Sequence, residues 1–184
     1  MDMMWTDFLN SDYHDWKEGK HDEDKLPLPT WQQRFLEQHQ LKADVPANEQ
    51  QLAMLCTLRT QLSKIAAEVA TGESLSAKHM QYLNDMLAGA SLQRQLQMDK
   101  DQLTLHYVCQ QTGWDVVAAE IVADFAATLL HGDARRIRHC DNPDCRWVFY
   151  DDTRSRTKRY CDDKLCGNLM KVRRFRARQK NKKL

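Results

Sequence analysis

No stretch of this sequence approaches the roughly 18 apolar residues that cross a bilayer, so no membrane-spanning role is expected. The N-terminus, Met-Asp-Met-Met-Trp-Thr-Asp, has neither a basic segment nor an apolar run, so a secretory leader is not expected either. Internal repeats and low-complexity segments are missing. So are the strings that announce common catalytic machinery: no phosphate loop, no His-Glu-x-x-His and no Ser/His/Asp set is found. The seven histidines are scattered, and a lone one such as His79 or His106 is expected to be a satisfied structural residue. These absences exclude the commoner enzyme classes. They point to a cytoplasmic protein without a membrane partner, in a compartment where thiols stay reduced.

What the chain does have is six cysteines in 184 residues. A chain of this length buries a sizeable core and needs no disulfide to fold. Cys56 and Cys109 sit among apolar neighbours and are expected to be core thiols. The other four form two equally spaced pairs, Cys140-x4-Cys145 and Cys161-x4-Cys166. In a reduced compartment, two such pairs read as metal ligands.

The net charge of +1 hides a strong polarity. Residues 1–134 hold 10 Lys/Arg against 20 Asp/Glu, a balance of −10. Residues 135–184 hold 17 against 6, a balance of +11. An acidic body with a basic tail points to a polyanionic partner. The bland alternative is that the two parts neutralise each other within the fold or across a homodimer.

Helical spacing dominates the body. Thr30 is expected to cap a short helix over 30–41. Pro46 suits a first helical turn, after which Leu52, Leu55, Leu62, Ile65 and Val69 recur at helical spacing until Gly72. A further helix is expected over 76–87. Residues 92–96 and 103–107 come close to alternating around a polar turn at 99–101, which predicts a hairpin. Val117, Ile121, Phe125 and Leu129 then line one face of another helix, which Gly132 ends. Residues 12–25 are too charged for core and read as a surface loop. The expected class is α+β, mostly α: a helical N-terminal domain with a small β-hairpin, over 1–134, then a C-terminal metal finger over 135–184.

Four thiolates suit one soft, tetrahedral Zn²⁺, and with every coordination position filled the ion is structural. His139 is an alternative ligand, and an iron–sulfur cluster an alternative cofactor. Nearby arginines are expected to favour the thiolate forms. Residues 147–150 read as a strand, 151–156 as its turn, and a returning strand leads to Cys161. A final helix starts near Asn168, an order that resembles a treble clef. Metal removal is expected to unfold the finger and spare the body. On the final helix Leu169, Val172 and Phe175 share an arc expected to pack on Trp147 or Phe149. Lys171, Arg174 and Arg178 share the opposite arc, while Arg173 and Arg176 flank the apolar stripe. Arg154, Arg156, Lys158 and Arg159 form a second basic cluster. Together these nine cations could track a phosphate backbone.

The string Arg138-His139-Cys140-Asp141-Asn142-Pro143-Asp144-Cys145, with Arg159-Tyr160-Cys161 and Cys166-Gly167-Asn168, resembles the CGNR zinc-finger family. Lys171, Val172, Arg173 and Arg174, with Arg176 and Arg178, also match it. Upstream, Phe8-Leu9-Asn10-Ser11 and Gly132-Asp133-x-x-Arg136 look like the ABATE domain that precedes this finger in bacterial proteins. The chain departs from the finger's pattern at Leu169, where that family has Arg, and at Tyr160, where it has Trp. The resemblance implies a bacterial, stress-induced transcription regulator with a mainly helical N-terminal domain and a DNA-binding finger.

The leading expectation is therefore a zinc-binding regulator that contacts duplex DNA and answers to stress or to a small-molecule effector. Asn10, Trp31 and Arg59 are candidates to line an effector pocket, although Arg59 could equally pair with an acidic neighbour. An RNA-binding module is the alternative if Trp147, Phe149, Tyr150 and Tyr160 are exposed for base stacking. A protein–protein interaction domain with a structural zinc is another.

Overall fold

A computed structural model of the chain describes residues 3–20 and 22–181. Among them, helices predominate and each sheet has two strands. Helix α1 (Met4–Leu9) buries Trp5, Phe8 and Leu9, a short element that the sequence pattern did not reveal. Strands β1 (Asp12–Tyr13) and β2 (Glu23–Asp24) close the loop read as purely irregular into a small antiparallel ladder.

Helix α2 (Pro29–His39) starts one residue before the expected cap: Leu28 is its N-cap and Pro29 occupies the first turn, where its missing N–H costs nothing. The next start also differs. Helix α3 (Glu49–Ala70) begins three residues past Pro46, because Asn48 accepts from Gln51 N–H while the Gln51 side chain accepts from Asn48 N–H. Gly72, at φ +92°, lets the chain leave α3. Helix α4 (Ala77–Leu87) covers the expected span but for its first residue, Ser76, which is its N-cap.

Strands β3 (Leu92–Asp99) and β4 (Gln102–Cys109) make the expected hairpin, longer than the sequence pattern suggests and almost entirely exposed. Cys109 is therefore on the hairpin and half-exposed, not a core thiol, and Cys56 is only partly buried. Helix α5 (Trp114–His131) is the most buried element, with Val117, Ile121, Val122 and Phe125 fully enclosed.

The main core lies between α1, α3 and α5. Trp5 meets Phe125 edge-on at 5.2 Å, and its indole N–H donates to Thr128 Oγ1 at 3.0 Å. The Trp114 indole donates to Asp44 O. Each large ring thus gains apolar burial without stranding its polar atom. The same core continues into the C-terminal part: Ile137 on β5 (Ile137–His139) and Val148 on β6 (Val148–Tyr150) belong to it. Strand β5 pairs antiparallel with β6, so this hairpin straddles the first cysteine pair. The strand expected to return to Cys161 is instead irregular chain, tied to the knuckle by the backbone bond from Asp141 N to Arg159 O. A π-helical turn (Asp163–Gly167) then runs into α6 (Asn168–Asn181).

Candidate metal centre

The four cysteines converge from three pieces of chain. Cys140 follows β5, Cys145 closes the knuckle before β6, Cys161 ends the irregular segment, and Cys166 lies in the π-helical turn before α6. Their sulfurs all lie within 4.8 Å of one another, with Cys145–Cys161 at 3.6 Å and Cys161–Cys166 at 3.8 Å. A Zn–S bond of about 2.3 Å in a regular tetrahedron sets sulfurs about 3.8 Å apart, so the four fit one zinc ion as a closed, structural site. His139 is exposed on β5 and outside the group.

The cluster's electrostatics explain why a cation belongs there. The Cys140 thiol is pulled down to about 2 because Cys145 and Cys161 can both donate to its sulfur. The donor Cys145 is correspondingly pushed up to about 12, and Cys161 is raised by the same hydrogen bond to Cys140. Burial raises Cys166. One thiolate is favoured and further ones are opposed, a conflict that a bound dication removes. Backbone N–H groups of the knuckle stabilise negative sulfur at Cys140 and Cys145. Among the cluster's leading influences are thiols, backbone and Asn142, not the arginines that the sequence suggested.

Asn142 is a functional residue that the sequence reading missed. Fully buried, it donates Nδ2 to Cys166 Sγ at 3.4 Å and to Trp16 O at 2.7 Å. It therefore orients a ligand and ties the acidic loop over the site. Trp16 packs against the cysteine cluster together with Met170. The only signal in the sequence was an Asn between the first two cysteines, just before Pro143. Asp151 is a second omission. Its buried carboxylate accepts from Thr153 N, Thr153 Oγ1 and Lys158 N, which hold it below the usual carboxylate range against the opposing effect of burial, and it shapes the 151–158 segment.

The basic residues are not equivalent. Arg156 pairs with Asp133 at 2.9 Å, and Arg159 with Asp141 at 2.5 Å. Lys158 lies over the Phe149 ring at 5.3 Å. Arg173 pairs with Asp144 at 2.6 Å and donates to Lys17 O, while Arg174 donates to Tyr160 Oη and Met170 O. With Met170, these two arginines define the docked side of α6. Val172 and Phe175 are exposed, so the apolar arc expected to pack on Trp147 or Phe149 faces solvent instead. Phe149 packs on the cysteine cluster. Among the described residues, Arg154, Lys171, Arg176 and Arg178 are exposed and make no ion pair. Of the four hairpin rings, Phe149 and Tyr160 are buried, Tyr150 is half-buried with its hydroxyl accepting from Asp133 N, and only Trp147 is exposed.

The three pocket candidates separate. Asn10 and Trp31 line a cavity of about 380 Å³ between α1, α2 and β6, together with Trp147, Val148, Lys158 and Cys161. Asn10 also exchanges two hydrogen bonds of 2.9 Å with the backbone of Val148, and so bolts the finger to the body. Arg59 lies elsewhere. It grips Asp24 bidentately at 2.7 Å and donates to Ser11 Oγ, the pairing that the sequence left open.

Residues 2–133 match the ABATE family model, described as "Putative stress-induced transcription regulator", and residues 136–179 match the CGNR zinc finger. No curated protein matches the chain.

Proposed function

Since the chain belongs to the ABATE family and carries a CGNR zinc finger, we propose that it is a transcription regulator that binds duplex DNA through α6. The observation that carries this reading is the outward face of α6. Val172 and Phe175 form its exposed ridge, Lys171 and Arg178 line one flank, Arg176 the other, and residues 164–181 contain no acid. At 14 residues the helix is about 21 Å long, and its width suits a major groove. Cations on both flanks reach phosphates on the two groove walls, while the apolar ridge meets thymine methyl groups. Leu169, in the Arg position of the resemblance, removes one cation beside Arg176.

The zinc site supplies rigidity. With the ion bound, Cys166 fixes the first turn of α6, and Met170, Arg173 and Arg174 dock its inner side. The exposed cations are then presented without first ordering the helix. The chain performs no reaction in this reading. The cavity beside Trp31 and Asn10 is the place for an effector, because a ligand there touches both α2 and the finger's β6. A reducing, cytoplasmic setting keeps the thiolates available. The RNA-stacking alternative rests on Trp147, Phe149, Tyr150 and Tyr160, and of these four rings just Trp147 is exposed.

Fluorescence anisotropy of the zinc-loaded chain on duplex DNA, single-stranded DNA and RNA over a salt series tests the reading. Duplex binding should weaken with a log–log slope of roughly −0.9 per phosphate contact. Replacing Lys171, Arg176 and Arg178 with alanine should make the slope shallower by about 2–3. Absence of measurable affinity for duplex DNA at low salt would sink the proposal.

A further inference from the structure

Among the described residues, none from the β3–β4 hairpin belongs to a buried core cluster. All eight residues of β3 are exposed, and β4 is at most half-buried. Among the described residues no third strand joins them. Their register sorts residues by face. Leu92–Cys109, Arg94–Tyr107, Leu96–Leu105 and Met98–Leu103 share one face; Gln93–Val108, Gln95–His106, Gln97–Thr104 and Asp99–Gln102 share the other.

The second face is polar and suits water. The first is a strip of Leu92, Leu96, Met98, Leu103, Leu105 and Tyr107, each between 52% and 66% exposed. These side chains present roughly 700 Å² to solvent, more than the few hundred Å² that a monomer ordinarily leaves bare. A lone two-stranded hairpin is marginal in water unless one face is covered.

We propose that this strip is an interface between two copies of the chain. The hairpins stack face to face about a two-fold axis, with their tips pointing in opposite directions. Area, shape and charge together select a second copy as the occupant. Two such strips bury about 1,400 Å², inside the roughly 1,200–2,000 Å² of a stable, specific interface. A two-fold contact sets the same patch on both sides, and this patch is apolar along both strands with Arg94 as its one charge. Arg94 stands near the root of the hairpin, whereas its tip, Asp99-Lys100-Asp101, carries a net charge of −1. Opposed tips bring each Arg94 towards the other copy's net negative tip. Parallel tips would set the two arginines side by side, at a repulsive cost.

Such a dimer carries two basic helices on one particle, but the interface stands on the hairpin alone and does not depend on DNA binding. Sedimentation velocity over a dilution series of the zinc-loaded full chain tests it. The wild-type chain should be dimeric in the micromolar range. L96K/L105K should raise the dissociation constant at least about a hundredfold, and R94E about tenfold, by burying unmatched charge. Far-UV circular dichroism and zinc content should stay unchanged, since Leu96 and Leu105 are more than half exposed and Arg94 is exposed as well. Adding D99K/D101K to R94E should restore dimerisation. A wild-type chain that stays monomeric at high concentration overturns the proposal, as does a dimer that L96K/L105K leaves intact. A missing rescue overturns the opposed arrangement.

Discussion

In the helical region, α1, α3 and α5 fold Trp5, Phe8, Leu58, Leu62, Ile121 and Phe125 into one continuous core that needs no cross-link. Around the metal site the means are different: Cys140, Cys145, Phe149, Tyr160 and Cys166 make a buried cluster in which three of the five members are ligand thiols. So little apolar area cannot offset the backbone entropy of the segment around it. There the metal does what apolar packing does elsewhere. The seam between the two regimes is not at the change of charge near residue 134. It lies inside the finger, because Ile137 and Val148 are packed in the helical core and Asn10 holds Val148.

Chelation should produce the largest effect that separates the two regions. Structural zinc contributes about 10–16 kcal/mol to small fingers, so its loss should open the chain beyond about residue 151. Helices α1–α5 should keep their circular dichroism. Hydrogen exchange should find Val148 still protected, which modifies the expectation that all of 135–184 unfolds. Loss of protection at both Val148 and Phe125 would show that the helical core leans on the metal.

Asn10→Ala comes next. It strips two partners from the Val148 backbone and should destabilise the chain by about 2–4 kcal/mol. Urea unfolding checks the cost, and a matching fall in zinc affinity, read by chelator competition, would place the effect at the seam.

Arg59→Ala should cost about 1–2 kcal/mol near neutral pH, in the helical region alone. Its hydrogen bonds to Asp24 hold that carboxyl below its usual range. A depressed carboxylate contributes stability above its unfolded pKa of about 3.9, and that stability is lost as pH falls through the lower folded value. The gap between wild type and variant should therefore be flat above about pH 5 and close under more acid conditions. A gap that widened on acidification would contradict this pairing.

Smallest in stability is replacement of Lys171, Arg176 and Arg178 by alanine, within about 0.5 kcal/mol. These side chains make no ion pair, so only the DNA salt slope should change.

Much of this was legible because it is local. Ser76 announces α4, Gly72 ends α3, and alternation around residues 99–101 marks the hairpin, since caps, left-handed turns and strand periodicity act within a few residues. Other features were not legible. Residues 4–9 are too few to show a helical period, and α1 exists because Trp5 and Phe8 have α5 and α2 to pack on. Pro46 resembled a helix start until the reciprocal bonds of Asn48 and Gln51 set it further on. The role of Asn142 was hidden because its partners, Trp16 O and Cys166 Sγ, are 126 and 24 residues away.

By itself the sequence determined the helical periodicities, the charge polarity and the four-thiolate site, because cysteine chemistry and spacing constrain a metal with little help from the rest of the fold. Tertiary structure alone decided which way α6 faces. Met170, Arg173 and Arg174 turn inward to Tyr160, Asp144 and Lys17 O, and this sends Val172 and Phe175 outward. A helical wheel gives the angles between side chains but not which angle meets the protein. That choice belongs to partners far away in the chain.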